Sequence, residues 1–92
     1  MIESFRCAET EKVFNLERSR VFGNIAQVAV RRLVMLNEAE ELRDLASVPG
    51  NRLEALKDDR KGQHSIQIND QFRVCFRWES GNAHDVEIVD YH

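Results

Sequence analysis

Proline occurs once, as Pro49, and glycine only four times in 92 residues. That scarcity excludes collagen-like, proline-rich and low-complexity chains. Cysteine is equally sparse. Cys7 and Cys75 stand 68 positions apart, without the close pairing that a structural zinc site needs, and both read as small buried apolar residues. No apolar run is long enough for a membrane span or a signal-peptide core, so the expected location is the cytoplasm. Positive charge is in deficit: thirteen Lys plus Arg against sixteen Asp plus Glu, a net charge of −3. A protein that binds nucleic acid through its bulk surface charge is thereby disfavoured. Nor is there a glycine-rich phosphate loop, a GxSxG elbow or an HExxH helix.

What is present is ordinary for a folded chain: 42% hydrophobic and 32% charged residues. A chain of this size forms one domain, residues 1–92, and buries roughly 60–65% of its unfolded surface. Met1–Arg6 is a weak edge-strand candidate. Ala8–Arg18 reads as a helix with acids at its positive end. Phe22, Ile25, Ala29, Leu33 and Leu36 then step by three or four, which is the apolar stripe of an amphipathic helix. Asn37 with Glu40 resembles a capping box and predicts a short further helix carrying Ala39, Leu42 and Leu45.

Pro49-Gly50-Asn51 breaks the pattern, and beyond it the apolar period changes from 3.6 to 2. Ile66 and Ile68 alternate with polar residues. Phe72, Val74, Phe76 and Trp78 share one strand face, with Arg73, Cys75 and Arg77 on the other. Asn69-Asp70-Gln71 and Ser80-Gly81-Asn82 are turn signals, and Val86 and Ile88 mark a last strand. Helices in one block and strands in another predict an α+β fold, an antiparallel sheet with two or three helices packed on one face.

Packing leaves two groups of residues unexplained. Between Gly50 and Asn82 six cations, Arg52, Lys57, Arg60, Lys61, Arg73 and Arg77, slightly outnumber five acids. They form a modest patch able to meet a polyanion. At the C-terminus Asp90, Tyr91 and His92 place three proton-exchanging groups together. Such groups beside cations satisfy the needs of RNA cleavage through the 2′-hydroxyl: one takes its proton, one protonates the leaving oxygen, and cations hold the phosphorane charge. That route needs no metal or other cofactor. His64 beside Ser65 makes a poor base–nucleophile pair, because neighbouring strand residues face opposite ways, and reads as structural.

The run NRLEALKDDRKGQHSIQINDQFRVCFRWESG, the ending DVEIVDYH and the opening MIESFRCAETEKVF closely resemble HigB-type toxins of bacterial toxin–antitoxin modules, within the RelE/ParE superfamily. The similarity spans essentially the whole chain, and LK-x-DR-x-G-x-x-SI with the terminal DYH carries most of it. The resemblance implies a RelE-like fold and a ribosome-dependent, metal-independent endoribonuclease that cleaves mRNA in the decoding site. It implies a helix-turn-helix (HigA-type) antitoxin as partner, with operator DNA met only through that complex. Carried onto this chain, it implies that Asp90, Tyr91 and His92 form the catalytic tail, that Lys57 lies near the scissile phosphate and that Arg73 stabilises the transition state. Arg60, Lys61 and Arg77 are the expected RNA contacts.

Two positions depart from the pattern. Glu54 stands where one branch of the family has His, in LEALKD instead of LHPLKG, and Asp58 replaces the Gly after the Lys. Either Glu54 takes over proton transfer or His92 acts without it, and both acids oppose RNA phosphate. The competing readings are a ParE-like gyrase inhibitor without chemistry and a weakly toxic co-repressor that mainly binds the antitoxin. The helix face bearing Gln27, Arg31 and Arg32, opposite the apolar stripe, is the expected partner surface.

Overall fold

The computed structural model describes residues 1–91. Three helices, α1 (Ala8–Phe14), α2 (Ala26–Glu38) and α3 (Leu42–Ala46), precede four strands, β1 (Glu54–Ala55), β2 (Gln63–Gln67), β3 (Phe72–Glu79) and β4 (Asn82–Asp90). The strands form an antiparallel meander in the order β1-β2-β3-β4. The expected α+β architecture is therefore the observed one. The N-terminal segment adds two parallel bridges to β4, Ile2 to Ala83 and Phe5 to Val86. No helix among the described residues is long and apolar enough to cross a membrane.

Every member of the Phe22–Leu36 stripe is buried, but only Ala29, Leu33 and Leu36 lie within α2. Gly23-Asn24-Ile25 forms a 3₁₀ turn ahead of it, where the poor helix formers Gly and Asn delay the regular helix. The stripe packs on Ile66, Val74, Phe76, Val86 and Ile88, the apolar side of the sheet. Phe22 meets Phe72 edge-on, with ring centres 6.0 Å apart.

Helix α1 ends four residues sooner than its pattern suggests. Leu16 adopts φ +63°, its N–H donates to the Val13 carbonyl and Glu17 N–H donates to that of Lys12. These are the two bonds of a Schellman stop, with leucine where glycine is usual. The expected Asn37–Glu40 capping box is also displaced. Asn37 remains inside α2 and accepts the Ile2 N–H through its side chain. The Asp44 carboxylate instead accepts the N–H groups of Glu40 and Glu41, each at 3.0 Å, and caps α3. Those backbone bonds hold the Asp44 carboxyl below the usual carboxylate range.

Strand β4 carries a bulge. Cys75 pairs with Glu87 while Arg77 pairs with His84, so Asp85 and Val86 together oppose Phe76. Asp85 takes φ +54°, and the extra residue lets Ala83 and Val86, three apart, both face the core. Beyond the bulge Glu87, Val89 and then Tyr91 fall on the opposite side of the sheet, with Arg73 and Cys75.

Candidate active site

The sheet face away from the helices holds most of the residues singled out above. Cross-strand register aligns Glu54, Ser65, Cys75 and Glu87 in one row, and Gln67, Arg73 and Val89 in the next. Side chains of directly paired residues share a face, so Glu54 comes beside Arg73 although 19 residues separate them.

Arg73 is 9% exposed. Its Nε donates to Ser65 Oγ at 2.7 Å, and its Nη2 donates to the Arg52 carbonyl at 2.5 Å. Arg52 itself sits at φ +45°, a left-handed conformation that costs an L-residue about 1 kcal/mol or more. Arg73 Nη1 lies 3.9 Å from Glu54 Oε1, and the Arg73 guanidinium carbon lies 6.0 Å from the Tyr91 ring centre. The structure thus brings Arg73, Glu54 and Tyr91 together. Tyr91 is held there because its N–H donates to the Gln71 carbonyl.

Asp90 takes the other side of the strand end. It pairs with Phe72 in the ladder, and its carboxylate accepts from Gln71 Nε2 at 3.0 Å, at the turn between β2 and β3. Strand alternation directs it away from Tyr91. His92 lies outside the described residues.

The cations differ in their freedom. Arg60 donates to Glu87 at 2.8 Å and to Gln63 at 3.1 Å, and the Glu87 bond raises its pKa further. Glu87 also meets Arg6 at 3.5 Å. Arg77 is paired with both Glu79 and Asp85, so two carboxylates offset its charge. Lys57 and Lys61 are exposed and enter no ion pair among the described residues. They flank the 3₁₀ turn Asp58–Arg60. Asp58 has φ +54°, which gives a backbone reason for glycine at this position in the resembling sequences.

Both cysteines are free thiols. Cys75 is fully buried as expected, but on this face and not in the apolar core, and burial pushes its thiol up. Cys7 is only half-buried, just before α1, so the expectation of burial holds for Cys75 alone. His64 faces the helices, stacked on Phe76 at 6.2 Å, and burial lowers its pKa. A cavity of about 360 Å³ lined by Glu9, Lys12, Arg18, Arg20 and Val21 adjoins α1 and shares no residue with the Arg73 group. Of the expected partner surface, Gln27 and Arg31 are exposed, whereas Arg32 is half-buried. A Cβ at Gly50 would lie 3.3 Å from its Nη2.

The partners of Arg73 are not legible in the sequence. Ser65 is by type an ordinary polar strand residue, and the Arg52 carbonyl carries no side-chain signal. Only register and backbone conformation bring them to the guanidinium.

Comparison with known proteins gives the family and the fold. Residues 3–92 match the family model of HigB-like toxins, described as RelE-like toxins of type II toxin–antitoxin systems. The chain is 40% identical over 61 residues to Toxin HigB-1 of Vibrio cholerae serotype O1, a stretch that covers 66% of this chain and 64% of that relative. It is 32% identical over 95 residues to Endoribonuclease HigB of Proteus vulgaris, covering both chains in full. The fold also matches a toxin–antitoxin complex structure, YoeB–YefM from Staphylococcus aureus, with a TM-score of 0.62 at 15% identity, over all of this chain and 98% of that one. A full-length family match, an alignment of both whole chains and the RelE-type arrangement of sheet and helices together make this protein a member of the HigB-like toxin family.

Proposed function

We propose that this chain is the toxin of a type II module and acts as an endoribonuclease that cleaves mRNA in the ribosomal decoding site. The observation that carries the reading is Arg73: a nearly buried guanidinium fixed by two neutral acceptors on the sheet face away from the helices, beside the Tyr91 ring. Neutral partners orient the group without cancelling its charge, which is the arrangement needed to stabilise a developing phosphorane. Tyr91 and His92 then serve as the proton-exchanging pair, and Asp90 anchors the end of β4 through Gln71. Lys57, in no ion pair among the described residues, supplies a second cation to the phosphate. Glu54 acts as the resident counter-ion of Arg73, to be displaced by RNA, and His92 works without help from it.

Lys61 and the exposed edge of Arg60 contact flanking RNA, while Arg77, already offset by two acids, contributes least. The acidic net charge is compatible with this scheme if the ribosome presents the substrate. A helix-turn-helix antitoxin neutralises the protein in the cytoplasm and joins it on operator DNA.

The test is cleavage of a defined mRNA on translating ribosomes, mapped by primer extension, for wild type and His92→Ala. Cleavage in the decoding site that slows about 10²-fold or more in the variant supports the scheme. Failure of the folded, antitoxin-binding wild type to cleave would refute it, in favour of a gyrase-binding or purely regulatory role.

A further inference from the structure

The partners of Arg73 decide more than its location. A guanidinium offers two forks: a side fork of Nε and Nη2, and an end fork of Nη1 and Nη2. Here the side fork is filled, Nε by Ser65 Oγ and Nη2 by the Arg52 carbonyl. The end fork remains, with Nη1 towards Glu54. Ser65 is fully buried, so its hydroxyl cannot drift to another partner, and it accepts a hydrogen bond while adding no negative charge.

We propose that Ser65 is a positioning residue: together with the Arg52 carbonyl it closes the side fork of Arg73 and aims the end fork at the RNA phosphate. This rests on the ribonuclease reading above. Arg52 contributes through its backbone, and its left-handed conformation turns the carbonyl to the guanidinium. Ser65 is therefore the part of the device that substitution can reach. Removing its hydroxyl leaves Nε without its acceptor and frees the fork to rotate, so the contact specific to the transition state weakens more than ground-state binding.

The experiment measures mRNA cleavage on programmed ribosomes for Ser65→Ala, Arg73→Lys and the double variant, with thermal unfolding followed in parallel. Ser65→Cys, which keeps the volume and weakens the acceptor, stands in if the alanine variant does not fold. In the Arg73 background we expect kcat to fall roughly tenfold, the scale of one hydrogen bond to a charged group, with KM within about twofold. In the Arg73→Lys background the same substitution has no further effect, because the fork it orients is gone. Wild-type kcat in Ser65→Ala, or an equal loss in both backgrounds, would overturn the proposal.

The Arg73 Nε–H proton signal gives a readout independent of catalysis. Slow exchange in wild type that is lost in Ser65→Ala supports positioning even if the wild type cleaves nothing, an outcome that defeats the ribonuclease reading alone. Equal exchange in both proteins overturns the positioning role whatever the activity.

Discussion

Replacing Glu54 by Gln separates two roles that a carboxylate beside an arginine can have. Glu54 Oε1 lies 3.9 Å from Arg73 Nη1, and the Glu54 side chain is 56% exposed. With the Arg73 side chain 11% exposed but its partner carboxylate open to water and 3.9 Å away, the pair is worth about 0.2–1 kcal/mol. If Glu54 only occupies the place of a phosphate, RNA need not displace that charge in the variant, and binding tightens by at most about fivefold. The amide keeps the size and polarity of the side chain, so folding is unaffected. The assays are ribosome-programmed mRNA binding and single-turnover cleavage at saturating toxin. We expect tighter binding, a weaker salt dependence of the change above physiological ionic strength, and a single-turnover rate within about threefold of wild type. A general base contributes roughly 10²–10⁴-fold. A hundredfold loss of rate in Glu54→Gln would refute the counter-ion assignment and make Glu54 the proton acceptor.

Three further outcomes follow from backbone strain and burial. Asp58→Gly removes a left-handed aspartate and one negative charge beside Lys57; it should stabilise the fold by up to about 1 kcal/mol in denaturant titration and strengthen RNA binding in the same direction as Glu54→Gln. Leu16→Gly, at a helix stop where the leucine is 78% exposed, should stabilise by about 1 kcal/mol, which for a domain of this size raises Tm by about 4–8 °C in calorimetry. His64 has its pKa lowered by burial, so near neutral pH both folded and unfolded forms are uncharged and the group contributes nothing to stability. As pH falls below the unfolded value near 6.5, the unfolded chain binds the proton first and stability drops, until the folded form protonates as well. His64→Phe should flatten that decline between pH 7 and 5, and an unchanged slope in thermal melts would show that His64 is not its source.

Period alone determined the layers of this protein. The three- and four-residue steps from Phe22 to Leu36 and the strict alternation from Phe72 to Trp78 each specify the apolar face turned to the core, because a helix and a strand bring apolar groups to one side only at those spacings. The turns at Asn69–Gln71 and Ser80-Gly81 were legible for a similar reason. Asn69 accepts the N–H groups of Gln71 and Phe72, and Ser80 and Gly81 both take positive φ. The identity of Arg73, Lys57 and the tail residues as a group came from motif resemblance, and their residue types suggested the chemistry.

Tertiary structure decided how they meet. The pairing of β1 with β2 sets Glu54 beside Arg73, and no local signal in a two-residue strand encodes that register. The bulge at Asp85 lets Ala83 join Val86 and Ile88 on the core side, which a simple period-2 reading misses, and beyond it alternation from Val86 carries Tyr91 to the face of Arg73. Helix limits moved because Leu16 and the Asp44 cap respond to backbone hydrogen bonding, not to apolar spacing. Side-chain period records which face is dry. Which polar groups share the other face depends on register, on bulges and on a few left-handed residues, and these form only when the strands come together.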